Sequence, residues 1–141
     1  MNKTIYIFIM MLFVIAFGAS ASNASDNSMA AFSEKFLENL AVCKPYKEVR
    51  KIDAFRITIV QEIKGLSNNK CIYENYPYQR RNDGYQCRYT KEQISQIIQA
   101  MKKGDQKDNV SIGNLKYESN AIDVLQAKFI NDKNVCKFFR N

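Results

Sequence analysis

The first apolar segment of the chain is an unbroken run from Ile5 to Phe17, with Lys3 before it and small residues after it. A basic start, an apolar run and a small-residue cleavage site are the three parts of a secretory signal peptide. A membrane anchor needs roughly 20 apolar residues, and this run is shorter. The pattern therefore predicts a cleaved signal peptide over residues 1–21, with cleavage after Ala21 or, as the alternative, after Ala24.

A helix is predicted after a polar stretch. Residues 22–28 contain only serine, asparagine, alanine and aspartate, which predicts a flexible leader to one domain over residues 29–141. Apolar residues then recur at steps of three and four, which is the spacing of one helix face. They are Met29, Phe32, Phe36, Leu40 and Cys43. The helix should end before Pro45, because the residue preceding a proline disfavours helical geometry.

The next pattern changes to a period of two, which is typical of half-buried strands. Residues 55–64 alternate apolar and polar, residues 71–78 form a second β-rich segment, and residues 85–89 form a third. Glycine, asparagine and serine at residues 65–69 and 80–84 supply the turns between them. We predict a three-stranded antiparallel meander, with helices covering Phe55, Ile57 and Ile59 on one face.

A second helix is indicated by a Thr90-x-x-Gln93 capping box followed by an apolar face. That face consists of Ile94, Ile97, Ile98 and Met101, and Lys102, Lys103 and Gly104 close the helix.

The rest of the chain gives weaker signals. Residues 105–109 should be a polar loop, and residues 110–117 are compatible with a small hairpin or a loop. A last helix should start after Ser119 or Asn120 and bury Ile122, Leu125 and Phe129. The pattern leaves the conformation of residues 131–141 open.

Together these elements predict an α+β fold with an N-terminal helix, a three-stranded meander, a capped helix and a C-terminal helical region. One helix leading into an antiparallel sheet resembles the layout of the cystatin-like and other small exported inhibitor or binding folds. The resemblance covers the order of elements in the first half of the mature chain and carries over no residue.

All four cysteines, Cys43, Cys71, Cys87 and Cys136, lie beyond the signal peptide, and an even count in an exported chain predicts two disulfides. Zinc binding is the competing interpretation, but the gaps between the cysteines are wide and histidine is absent. In the predicted antiparallel meander the first and third strands start at the same end of the sheet. Cys43 precedes the first strand, and Cys87 lies in the third. We therefore expect Cys43 to pair with Cys87, and Cys71 with Cys136.

The sequence offers few groups for catalysis. Without histidine and without free thiols it lacks the usual general base and the usual thiol nucleophile. A carboxylate-based hydrolase remains as the alternative, and its candidate residues are scattered: Glu48, Asp53, Glu62, Glu74 and Asp83. No phosphate-loop, dinucleotide-binding or metal-binding motif is present, so we expect no cofactor and no metal.

A local cluster of tyrosine and arginine is the candidate binding site. Its members are Tyr73, Tyr76, Tyr78, Arg80, Arg81, Tyr85 and Arg88. Such side chains can hold a polyanion, a sugar polymer or a protein through ion pairs, stacking and cation–π contacts. The alternative interpretation is that tyrosine favours strands and that the arginines only decorate a turn.

Charge and export then suggest a class of function. Removing residues 1–21 takes away Lys3 and no acidic residue, so the formal net charge falls from +7 to +6. A basic secreted or periplasmic protein attracts acidic partners, but charge alone does not define a function. We expect a small exported non-enzymatic binding protein, an inhibitor or an envelope-associated factor, whose partner is an exported protein or an anionic envelope polymer.

Overall fold

A five-stranded antiparallel sheet is the main element of the described part of the chain. The computed structural model describes residues 32–104, 107–112 and 115–140. The strands of this sheet lie in the order β1-β2-β3-β4-β7. Their bounds are Tyr46–Ile52 for β1, Ile57–Ser67 for β2, Lys70–Pro77 for β3, Tyr85–Tyr89 for β4 and Cys136–Phe138 for β7. The α+β class is confirmed.

Three helices pack on one face of this sheet, which we call the inner face. They are α1 at Glu34–Ala41, α2 at Lys91–Lys102 and α3 at Ala121–Asn131. Their buried side chains and those of the sheet form one core. The described helices are not long and apolar enough to cross a membrane.

Local sequence signals explain where α1 and α2 begin. The Ser33 hydroxyl accepts a hydrogen bond from the Phe36 N–H at 3.0 Å and caps α1. Thr90 and Gln93 form the predicted capping box at the start of α2. Met29, the predicted signal peptide and the predicted leader lie outside the described residues, whereas Phe32 is buried in the core just before α1.

The predicted meander is the middle of a larger sheet. β2, β3 and β4 are its three strands, and β1 and β7 add one strand on either side. β1 escaped the pattern because it is an edge strand with charged residues at most of its exposed positions. β7 has only three residues and follows directly on a turn, so it is too short to leave a periodic signal.

A second, two-stranded sheet replaces the predicted polar loop. Strand β5, Lys107–Ile112, pairs antiparallel with strand β6, Leu115–Asn120. Of the two alternatives for this segment, the hairpin is therefore the observed one. α3 then begins after Asn120, as predicted, and Ile122 and Phe129 are buried in the core.

The inner face does not cover all the residues predicted for it. Ile59 is buried, but Phe55 lies in a short 3-10 helix and is 59% exposed, and Ile57 is 36% exposed. The reason is Arg56, whose φ of 50° is left-handed and interrupts the chain between β1 and β2. Strand alternation therefore starts two residues later than the sequence pattern indicates.

Two disulfides form, but the expected pairing is wrong. The bonds join Cys43 to Cys71 and Cys87 to Cys136. The first difference arises from β1, an antiparallel strand that was not predicted before β2. Because of this strand, Cys43 lies at the opposite end of the strands, where β2 ends and β3 begins. β7 is the cause of the second, because its register places Cys136 directly opposite Cys87. Two buried disulfides are typical of proteins that mature in an oxidising compartment.

Candidate functional site

Two of the seven predicted binding residues belong to the core. Tyr73 is fully buried, and its ring packs against Phe36 and Tyr89. Its hydroxyl oxygen accepts hydrogen bonds from Gln61 at 3.3 Å and from Asn75 at 3.0 Å. Tyr85 lies beside it on the same inner face and packs against that core. These two tyrosines position the sheet against the helices and offer little surface to a partner.

Tyr76 and Arg81 lie on the opposite, outer face of the sheet in a network of ion pairs. Arg81 donates to Glu74 at 2.8 Å, and its guanidinium stacks 5.5 Å from the centre of the Tyr76 ring. The Tyr76 hydroxyl donates to Glu62 at 3.1 Å. Gln86 completes the network by donating to Glu74 at 3.0 Å.

The network explains why Glu74 can be buried. Burial of an isolated carboxylate costs free energy, and the hydrogen bonds that Arg81 and Gln86 donate to the two Glu74 carboxylate oxygens offset this cost. The hydrogen bond to Glu74 in turn raises the pKa of Arg81. Burial raises the pKa of Glu62, but hydrogen bonds from Lys64 and Tyr76 and the charges of Lys64 and Lys47 together outweigh it and leave the pKa below its ordinary value. Arg81 is therefore a structural residue more than a free binding group.

The carboxylate hydrolase gains no support from the described residues. Glu62 and Glu74 face each other directly in the β2–β3 register, yet both are held by donors. Asp83 is paired with Arg80 and Arg140. Glu48 accepts a hydrogen bond from the Ser33 hydroxyl. None of the three described cavities is lined by a carboxylate.

The described residues contain no group of three or more histidine, cysteine, aspartate or glutamate side chains that could hold a metal ion.

Tyr78 and Arg80 lie at one end of the sheet around a recess of about 230 Å³. We call it the hairpin recess, and its lining residues are Arg56, Ile57, Thr58, Pro77, Tyr78, Gln79 and Arg80. The Tyr78 N–H donates to the Thr58 carbonyl at 2.9 Å and holds the two sides of the recess together. The Tyr78 side chain is 62% exposed, whereas the Arg80 guanidinium is paired with Asp83 at 3.2 Å.

Arg56 gives the hairpin recess a cation without a described acidic partner. Its backbone is held in the left-handed region by its own N–H, which donates to the Asp53 carbonyl at 3.2 Å. A non-glycine residue in this region is strained, and such strain is enriched at functional sites. The sequence pattern placed Arg56 among the polar positions of the strand but indicated that Ile57 is covered, and neither residue was predicted to belong to a binding site.

Arg88 is separated from the other predicted binding residues. It lies on the outer face of β4, opposite Ile72 of β3, and lines a different and larger cavity near the β2–β3 turn. The seven predicted residues therefore form no single site. Two are in the core, two are in the outer-face network, two line the hairpin recess and one lines the larger cavity.

Comparison of the chain with protein-family models, with curated proteins and with solved structures found no match. The cystatin-like layout expected from the order of elements gains no support from these comparisons. The chemistry of the recess and of the larger cavity is therefore the basis for a function.

Proposed function

We propose that this chain is an exported, non-enzymatic binding protein, secreted or periplasmic, that holds another exported protein at the hairpin recess. The observation that carries the proposal is the composition of this surface. Tyr78, Ile57 and Arg56 converge on one recess, and exposed Phe55 lies two residues before Ile57 in the chain. Tyrosine and arginine beside apolar surface are the side chains that dominate binding energy in protein interfaces.

Export is supported by two independent features. The four cysteines are all oxidised in pairs, which favours maturation outside the reducing cytoplasm. The predicted signal peptide supplies the route. We propose that the exported protein begins at Ser22, or at Ser25 if the alternative site is used, and intact-mass measurement of the exported protein distinguishes these two starts from an uncleaved chain.

The binding proposal is tested by affinity capture with the mature, oxidised protein as bait in culture fluid or envelope extract. The bait should retain a partner that saturates as more extract is added. The double variant Arg56→Asn/Tyr78→Ser should lose it, because the cation and the exposed ring are both removed. Asparagine is chosen at position 56 because it tolerates the left-handed backbone.

The matched control is Lys70→Ser/Arg88→Ser, which removes two charges at the other end of the sheet and should retain the partner. Undiminished capture by the recess variant would overturn the proposal, and so would the absence of any saturable partner. Circular dichroism of each variant shows that loss of capture is not loss of folding.

A further inference from the structure

The largest described cavity lies on the outer face of the sheet and is distinct from the hairpin recess. It measures about 370 Å³. Its walls come from the β2–β3 turn, from β4 and from the segment that leads into β7. The hairpin recess lies at the other end of β3, about 23 Å away at the rise per residue of a strand. We call this larger site the basic cavity.

Four cations from three separate parts of the chain line the basic cavity. They are Lys70, Arg88, Lys133 and Lys137. None of them forms an ion pair with a carboxylate in the described part of the chain, although other cations there do, such as Arg81 with Glu74. These exposed cations are therefore available to an anion from outside the chain.

The neutral groups in the walls are suited to the same ligand. Asn68, Gln86 and Asn134 provide amides that can donate to an anion. The Gln86 amide already donates to Glu74, which fixes its orientation across the sheet. Asp132, the acidic residue of the adjoining turn, accepts the Asn134 N–H at 2.9 Å and is not part of the cavity lining.

The backbone positions of two of the cations depend on the disulfide between Cys87 and Cys136. Arg88 and Lys137 each neighbour one of its cysteines, and the Arg88 N–H donates to the Val135 carbonyl at 2.8 Å. The C-terminal segment therefore cannot move away from β4 without breaking a covalent bond. The backbone of this wall is therefore fixed before binding, which lowers the entropic cost of binding there.

We propose that the basic cavity binds a phosphate-type oxyanion, as found in a phosphate-bearing polymer or in free phosphate. The compact, multiply charged group meets several cations at once and receives charge-assisted hydrogen bonds from arginine and lysine. The site is independent of the protein partner proposed for the hairpin recess. Lys70, Lys133 and Lys137 are new functional residues, whereas Arg88 was predicted from the sequence for a different cluster.

The test uses mature protein, with inorganic phosphate, tripolyphosphate and long-chain polyphosphate as probes in calorimetry at low and at physiological salt. Polyphosphate should bind to the wild type. Its affinity should fall as the salt concentration rises, because the lysine and arginine side chains displace counterions that are condensed on the polyphosphate. In Lys70→Ser/Arg88→Ser the affinity should fall about tenfold or more, and its dependence on salt should become shallower. If inorganic phosphate binds as tightly as long-chain polyphosphate, the natural ligand is free phosphate. If only long-chain polyphosphate binds, the natural ligand is a phosphate-bearing polymer.

The matched control is Lys51→Ser/Lys102→Ser, which removes the same charge from exposed residues that line neither the basic cavity nor the hairpin recess and should leave the affinity within about twofold. Equal losses in both double variants would overturn the proposal, because they would show diffuse attraction by net charge. Failure of the wild type to bind any of the three probes would overturn it as well. Backbone amide NMR shifts with polyphosphate should be concentrated at residues 67–70, 86–88 and 133–137.

Discussion

At the scale of single residues, Gly84 lies in close contact with Asn75 and Tyr76 of β3. A Cβ at this position would overlap the carbonyl oxygen of Asn75 and the backbone of Tyr76. Its own carbonyl accepts the Phe139 N–H at 3.0 Å and anchors the C-terminal segment. The absence of a side chain therefore allows the turn to lie directly against β3.

The variant Gly84→Ala should lower the free energy of unfolding by about 1–3 kcal/mol, because the backbone must shift to admit the methyl group. Urea unfolding measures this change. Asn82→Ala, at an exposed position of the same turn, is the control and should change the free energy by less than about 0.5 kcal/mol. A Gly84→Ala protein as stable as the control would contradict the close contact.

At the scale of elements, the start of α2 is determined by its own sequence. Thr90→Ala removes the side-chain acceptor that satisfies the Gln93 N–H at 3.2 Å. It should cost about 1 kcal/mol of unfolding free energy, measured by urea unfolding. Ser95→Ala on the exposed side of the same helix should be neutral or slightly stabilising. A cost in both variants would indicate that the helix is sensitive everywhere and not at its cap.

The two disulfides tie the outer elements to the centre of the sheet. Cys43–Cys71 attaches the segment between α1 and β1 to β3, and Cys87–Cys136 attaches β7 to β4. The bonded cysteines are 28 and 49 residues apart in sequence, and loop-closure entropy varies slowly with that separation.

Replacing either pair by two alanines should therefore lower the free energy of unfolding by a similar amount, about 4 kcal/mol. Urea unfolding of the two variants against the oxidised wild type measures it. A peptide map of the non-reduced protein checks the pairing first, and a peptide joining Cys43 to Cys87 would contradict it.

At the scale of the whole molecule, three phenols in the core make the fold sensitive to alkaline pH. Burial raises the pKa of Tyr73 to about 12 and raises the pKa values of Tyr85 and Tyr89 well above 10. In the unfolded chain these phenols ionise near pH 10. Their neutral forms therefore stabilise the fold fully below about pH 10, and this contribution is lost as the pH rises towards 12.

The free energy of unfolding should fall by about 2 kcal/mol from Tyr73 alone between pH 8 and pH 11.5. Urea unfolding between pH 8 and pH 11.5 measures the loss, and absorbance at alkaline pH should show phenols that ionise only on unfolding. Tyr73→Phe should reduce the dependence on pH, whereas Tyr78→Phe, which removes the hydroxyl of an exposed tyrosine, should not. Identical pH profiles for Tyr73→Phe and the wild type would contradict the assignment.

Local signals predicted part of the molecule well. The capping box of α2, the buried face of α1 and the three central strands depend on residues close in sequence, and all are found. β1 and β7 were not predicted, because a charged edge strand and a three-residue strand are stabilised by their neighbours and not by their own pattern.

The candidate site was less predictable than the fold. The sequence indicated that tyrosine and arginine gather between residues 73 and 88, but the two faces of a strand receive alternate side chains. Tyr73 therefore points into the core, and Tyr76 joins the outer-face network. Lys133 and Lys137 are distant in sequence from Arg88, so no local pattern could have joined them to it.

By itself, the sequence determined the α+β class, the presence of two disulfides and the start of the capped helix, because composition, cysteine count and short-range periodicity are properties of the chain. Only the tertiary structure decided which cysteines pair and which cations meet in the basic cavity. Both depend on strand order, and strand order is set by contacts between residues far apart in the chain.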